Sequence, residues 1–202
     1  MVTWEAIFPT PVMRAALGRP FSADEREFFA SKQTEPHPNV LNTRSADTHV
    51  LNAPEMQSLR SMVLECVQQF GRKVISTNPK HEFYLTQSWL NYTKMGESHH
   101  RHQHSNSLIS GVLYVNAERE MDGISFFRGG TPQILVTEEG LNWYNAPSWT
   151  FPVASGDLVL FPSQLTHGVE QTRGDHIRIS LAFNAFVRGD LGSEESLNSV
   201  KL

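Results

Sequence analysis

From about residue 82 the chain is written in short runs of Val, Ile, Phe, Tyr and Thr, broken by Gly, Pro, Asn and Asp, with no helical stretch between them. Such runs read as strands, here over 82–94, 107–116, 123–128, 133–137, 149–154, 157–162, 166–171 and 175–187. Eight short strands over about a hundred residues, with no helical interlude, argue for antiparallel pairing. The pattern predicts a mainly β fold, a sandwich or barrel of which the jelly roll is one solution.

The part before residue 80 has a different texture. Ser22-Ala23-Asp24-Glu25 is a capping-box pattern, which predicts a short helix to about Lys32. Residues 33–52, rich in Pro, Asn and Thr, read as loop. A longer helix follows, with Asn52 as its expected cap and Glu55 three residues on. Met56, Leu59, Met62, Val63, Cys66, Val67, Phe70 and Val74 repeat along it at helical spacing, so one face must pack on something, most simply the outside of a sheet. Cys66 falls on that face and reads as a small buried hydrophobe. The whole is expected to be a single domain: a helical and loop segment over 1–80, a β core over 81–187 and a tail over 188–202.

Composition narrows the function. With 17 Lys and Arg against 21 Asp and Glu the formal charge is -4, and no basic surplus exists to track phosphates, so nucleic acid is not the expected partner. No apolar run is long enough to span a bilayer, and Met1-Val2-Thr3-Trp4-Glu5 is not the start of a signal peptide. One cysteine permits no internal disulfide. A cytoplasmic protein with no membrane partner is the expectation.

Four of the nine histidines crowd into six residues, His99, His100, His102 and His104. In a strand, residues two apart share a face, so His102-x-His104 converges on one point. Imidazole suits Fe, Cu, Ni and Zn. A third ligand must come from elsewhere, and His167 is the natural candidate, because Gly156 through Pro162 reads as a turn, a buried strand and a break just before it. A histidine-rich surface loop that takes adventitious metal is the plainer alternative. His37, His49, His81 and His176 lack such spacing and are assigned ordinary surface or capping roles.

Further on, Arg178, Ser180, Ala182 and Asn184 share one face of the last strand, and Ile177, Ile179, Leu181 and Phe183 share the other. The second face is core. If the first points inward, Arg178 needs an anion, and its planar fork suits a carboxylate, with Ser180 adding a donor. The alternative is an outward arginine paired with Glu170 or Asp157.

His102-x-His104, His167 and Arg178-x-Ser180, in that order, resemble the iron(II)/2-oxoglutarate-dependent oxygenase superfamily. Ser88-Trp89-Leu90-Asn91, His99 through His104, Leu108 through Val115, Gly156 through Ser163 and Arg178 through Asn184 resemble one branch of it, 2OG-Fe(II) oxygenases named from sequence, over roughly residues 84–187. The resemblance implies a double-stranded β-helix, a jelly-roll or cupin-like core with the N-terminal helices packed outside. It implies iron held by His102, His104 and His167, with 2-oxoglutarate and dioxygen as co-substrates. The far carboxylate of 2-oxoglutarate would meet Arg178 and Ser180, with Tyr114 as a further contact; a core aromatic role for Tyr114 is nearly as good a reading. Asn91 is a candidate for the other carboxylate or for a metal-bound water. The implied reaction couples 2-oxoglutarate decarboxylation to oxidation, most simply hydroxylation, of an unidentified substrate. It needs no side-chain general base, so no separate catalytic residue is assigned.

The chain departs from the superfamily pattern at one point. The usual second ligand is a carboxylate, and His104 stands there. A halogenase would leave that position small, so halogenation is disfavoured. Glu97 or Asp157 could supply a carboxylate instead, without supporting spacing. Two other readings stay open: a three-histidine cupin-type metalloenzyme that does not use 2-oxoglutarate, and a non-catalytic metal-binding jelly-roll protein. Trp143, Tyr144, Trp149 and Phe151, within the irregular stretch 129–151, would form a lid or, more simply, pack a hairpin edge.

Overall fold

The structure is a computed structural model and describes residues 1–77, 81–130 and 139–202. The chain runs through β1 (Met13–Ala16), α1 (Ala23–Lys32), β2 (Pro36–Asn39), β3 (Asn42–Ser45), α2 (Gln57–Phe70), β4 (Glu82–Thr93), β5 (His99–His102), β6 (Ile109–Asn116), β7 (Gly123–Phe127), β8 (Ser148–Pro152), β9 (Asp157–Pro162), β10 (His167–Val169) and β11 (Arg178–Arg188). A small ribbon of β12 (Asp190–Leu191) and β13 (Val200–Lys201) ends it.

Two antiparallel sheets form the body. The larger has the order β1-β9-β6-β11-β4-β3-β2 and the smaller β5-β10-β7-β8. From β4 to β11 the chain passes back and forth between them, which is the winding of a jelly roll and bears out the mainly β expectation. Seven of the eight expected strands are present within a few residues of their expected ends. The expected strand 133–137 lies outside the described residues. The eighth core strand is instead β5, the histidine run itself.

The N-terminal part departs from its sequence pattern in three places. Residues 33–52 are not all loop: Pro36–Asn39 and Asn42–Ser45 form a hairpin that extends the large sheet beyond β4. Prolines are tolerated on β2 because it is an edge strand, where the missing N–H is not needed. β1 has no sequence signal either, since four residues paired with β9 leave no periodicity to read. The α1 capping box is present: Ser22 Oγ accepts from Glu25 N–H and the Glu25 carboxylate accepts from Ser22 N–H. Asn52, by contrast, does not cap α2. Single 3-10 turns at Val50–Asn52 and Pro54–Met56 precede the helix, which starts at Gln57 behind Met56 without a side-chain cap.

Leu59, Val63, Cys66, Val67 and Phe70 of α2 are buried as expected, whereas Val74 is exposed in the π-helical turn that follows. Their partners are Leu90 and Tyr92 of β4, Ile109 and Leu113 of β6, Leu158 and Leu160 of β9, and Leu181 and Phe183 of β11. These form the outward parity of the large sheet, and each such side chain contributes about 1.5–3 kcal/mol by leaving water. Packing is close: a Cβ on Gly111 would enter the Phe183 ring. Between the sheets lies a second apolar cluster that includes Tyr114, Ile124, Phe126, Val153, Val159 and Phe161. No helix of the described residues is long and apolar enough to cross a membrane.

Candidate metal and co-substrate site

The opposite parity of the large sheet faces the smaller one. In register across the strands, Ser180 lies between Asn91 and Tyr114, Ala182 between Trp89 and Val112, and Asn184 between Gln87 and Ser110. Directly opposed residues of antiparallel strands project to the same side, so these form one surface. It is polar and yet buried: Asn91, Ser110, Arg178, Ser180 and Asn184 are all under 9% exposed.

Against this surface the structure brings His102, His104 and His167 together, with ligand atoms within 4.8 Å of one another. His102 and His167 are a cross-strand pair of β5 and β10, their ring centroids 4.3 Å apart. His104 arrives differently from the expectation of a strand. β5 ends at His102, and His104 sits in the turn beyond, its backbone N–H donating to Ser163 O at 3.0 Å.

Each ring is tethered at the same atom. His102 Nδ1 meets His100 O at 2.8 Å, His167 Nδ1 meets Leu165 O at 2.9 Å, and His104 Nδ1 meets Asn184 Oδ1. Ser110 Oγ donates to the same Asn184 oxygen at 2.8 Å. An oxygen acceptor at Nδ1 fixes the proton there and leaves the Nε2 lone pair free. His102 Nε2 and His104 Nε2 then face each other at 3.0 Å with no proton between them, an arrangement that repels unless a cation is shared. Burial holds all three rings below the usual imidazole range, His167 down to about 3, so they stay neutral and able to ligate. The donor set therefore fits a borderline divalent metal such as iron. Glu97 and Asp157 do not supply a carboxylate: Glu97 accepts from Lys94 N–H, and Asp157 pairs with Arg119 and accepts from Ala154 N–H.

Arg178 is 2% exposed, with its guanidinium carbon 5.1 Å from the centroid of the Tyr114 ring. It is not the outward arginine of the alternative reading and pairs with neither Glu170 nor Asp157. The carboxylate beside it is Asp122, whose Oδ1 lies 3.8 Å from Arg178 Nε. Among the described residues Arg178 Nε, the Tyr114 hydroxyl and Asn91 Oδ1 are buried without hydrogen-bond partners. Burial pushes the Tyr114 hydroxyl up to about 12, and the nearby Arg178 charge opposes that rise. Groups of this kind are costly unless a polar ligand completes them.

Three residues of this site, Asn184, Ser110 and Asp122, have no role assigned by the sequence pattern. Asn184 falls on the inward parity of its strand, and that parity is the signal that points to it. Asp122 precedes β7 in a turn and carries no signal of its own. His176, expected to have an ordinary role, bonds Asp122. His99 and His100 line a cavity of about 290 Å³ against Gly168–Gln171. Trp149 and Phe151 belong to β8; Trp143 stacks on Trp149 at 4.2 Å and Phe151 packs on Phe126, so these rings support the β8 edge. Tyr144 is exposed, 6.5 Å from Trp4.

Three tethered imidazoles between the sheets of a jelly roll, opposite a buried arginine, define a candidate metal site in a fold of the double-stranded β-helix class. Residues 87–184 match the family described as "Putative 2OG-Fe(II) oxygenase". Among solved structures, the chain is similar to an oxidoreductase of the 2OG-Fe(II) oxygenase family from Burkholderia pseudomallei, at 15% identity and TM-score 0.57, covering 86% of this chain and 83% of that one. It is similar to HygX from Streptomyces hygroscopicus bound to nickel, 2-oxoglutarate and hygromycin B, at 14% identity and TM-score 0.59, covering 87% and 82%. It is also similar to a Pseudomonas putida prolyl-4-hydroxylase, at 14% identity and TM-score 0.54, covering 87% and 92%. No curated protein matches by sequence. Residues 87–184, just under half of the chain, are thus similar to the 2OG-Fe(II) oxygenase family, and the solved structures share the fold at 15% identity or less.

Proposed function

We propose that the protein is an enzyme that uses Fe(II), 2-oxoglutarate and dioxygen, that His102, His104 and His167 hold the iron, that Arg178, Ser180 and Tyr114 take the far carboxylate of 2-oxoglutarate, and that it hydroxylates a small organic substrate. The observation that carries this reading is the meeting, on one buried surface, of three Nε2 lone pairs with a buried arginine and a tyrosine whose hydroxyl lacks a partner. When bound, iron and 2-oxoglutarate supply the activation of dioxygen that C–H oxidation needs. The chain's part is placement. Asn184 and Ser110 orient His104, while the carbonyls of His100 and Leu165 orient the other two rings. Arg178 offers its fork to a carboxylate and Ser180 a hydroxyl beside it. Asn91 Oδ1, an acceptor, suits a water better than a carboxylate. The buried apolar ring of Phe126, Val159 and Phe161 keeps bulk water from that end of the site. A small-molecule substrate is supported by the solved relatives, which hold hygromycin B in one case and nogalamycin RO in another.

The test is an anaerobic titration of the Fe(II)-loaded protein with 2-oxoglutarate, followed by the visible metal-to-ligand charge-transfer band. The band is expected in the wild type and absent in Arg178→Ala, whose iron content stays intact. Iron binding without a band in the wild type would transfer the site to a three-histidine chemistry that does not use 2-oxoglutarate.

A further inference from the structure

Arg178 is charged and almost wholly removed from water, and a buried guanidinium without a counter-ion is costly. Asp122 answers it. Its side chain is 1% exposed, and Oδ1 lies 3.8 Å from Arg178 Nε. The other oxygen is fixed independently, accepting from Glu118 N–H at 2.8 Å and meeting His176 Nε2 at 2.8 Å. The turn that carries it is closed by Asp122 N–H to Glu118 O at 2.7 Å, and Val153 N–H donates to the Asp122 carbonyl at 3.0 Å. The carboxylate is thus held by the Glu118 N–H and by His176 on the approach to β11, and the backbone that carries it by Val153 just after β8.

Two consequences follow from this geometry. A carboxylate on the Nε side of a guanidinium leaves the two terminal nitrogens as the free fork, which is the edge a second carboxylate binds bidentately. Charge also closes: Arg178 and Asp122 cancel, the three imidazoles are neutral, and a divalent metal then balances a dianionic 2-oxo acid. His104 brings no negative charge to the metal, and Asp122 brings one to the other end of the site.

We propose that Asp122 is a positioning residue for co-substrate recognition: it aims the Arg178 fork at the far carboxylate of 2-oxoglutarate and is itself held by His176 and the Glu118 N–H. The inference rests on Arg178 being the co-substrate's partner, as proposed above.

The experiment compares two ligands of the Fe(II)-loaded protein under anaerobic conditions. One is 2-oxoglutarate; the other is 2-oxopentanoate, which has the same chain length and the same metal-binding end but a methyl group where the far carboxylate would be. Asp122→Asn is expected to weaken 2-oxoglutarate roughly 10- to 100-fold, the worth of a charge-assisted contact, while leaving 2-oxopentanoate and iron content unchanged. A merely structural role would weaken both ligands together, so an unchanged ratio of the two affinities overturns the proposal. If Asp122→Asn does not accumulate as folded protein, His176→Ala frees the same carboxylate from one side and must lower the ratio; an unaltered ratio there overturns it equally. Wild-type protein that does not prefer 2-oxoglutarate over 2-oxopentanoate overturns the reading of Arg178 itself. A wild-type preference that is lost in Arg178→Ala but kept in Asp122→Asn overturns only the role of Asp122.

Discussion

The two faces of the large sheet are built from alternate residues of the same strands, and they differ in almost every physical respect. Leu181 and Phe183 of β11, with Leu90, Leu113, Leu158 and Leu160 from its neighbours, face α2 and are at 0% exposure. Arg178, Ser180 and Asn184, one residue away from these, face the smaller sheet among hydroxyls, amides and imidazoles. Apart from the Tyr92 hydroxyl, which is also buried without a partner, the first face carries hydrocarbon groups that gain by leaving water. The second is buried almost as deeply and is incomplete, because Arg178 Nε, the Tyr114 hydroxyl and Asn91 Oδ1 lack partners. Burial alone therefore does not mark a residue as structural. What separates the two parities is how many polar groups burial leaves without partners: one hydroxyl on the first face, and an arginine, a tyrosine and an asparagine on the second.

The sharpest way to break that contrast is to truncate neighbouring residues of opposite parity. Phe183→Ala leaves a cavity under α2 and is expected to cost about 3–5 kcal/mol in urea unfolding. Iron stoichiometry per folded molecule should not change. Asn184→Ala, the next residue, should cost far less in unfolding but weaken iron about 10- to 100-fold, because His104 loses the acceptor that sets its tautomer. If Asn184→Ala instead unfolded the protein and left metal affinity alone, the division of labour between the faces would be wrong.

The inward parity should also leave a signature in pH. Burial holds His99 and His167 down to about 3 against an ordinary 6.5, and lowers His102 and His104 as well. Below 6.5 the unfolded chain takes up protons that the folded apoprotein refuses, so stability rises with pH across this window. The contribution is fully present above pH 6.5 and is lost as pH falls towards 3. Unfolding of metal-free protein followed from pH 7.5 to 4.5 should show this loss, and His167→Asn should flatten part of it. Equal slopes in the two proteins would mean that His167 is not neutral and buried in the folded state.

How much of the fold and the site is legible in residue order depends on whether the signal is local. β-Alternation in 178–184 separates core from site by parity alone, and the order of His102, His104, His167 and Arg178 points to the family. Contacts made by single residues across long separations are silent. Nothing near Asp122 announces that it meets Arg178, since the two are joined only by the fold. Nothing in Pro36–Asn39 announces a strand, because an edge strand need satisfy neither alternation nor every backbone donor. His104 converges on His102 as the spacing suggests, but through Ser163 and Asn184 and not through a strand's period of two.

The smallest effects test the same lesson at the two helix starts, where one local signal holds and the other does not. Ser22 and Glu25 exchange both bonds of a capping box, satisfying two of the backbone donors that a helix leaves open at its first turn. Ser22→Ala should therefore cost about 1 kcal/mol in unfolding, within a range of roughly 0.5–2. Asn52 stands in the same kind of sequence, three residues before Glu55, but its segment is turned by Pro54 into two 3-10 turns. Pro54, two residues on, has no N–H to offer it, and the Met56 N–H goes to Ala53 O at 3.0 Å. Asn52→Ala should thus stay within about 0.5 kcal/mol of wild type, as exposed substitutions away from such features do. Equal losses at the two positions would mean that Asn52 caps α2 in solution and that the helix begins a turn earlier than Gln57.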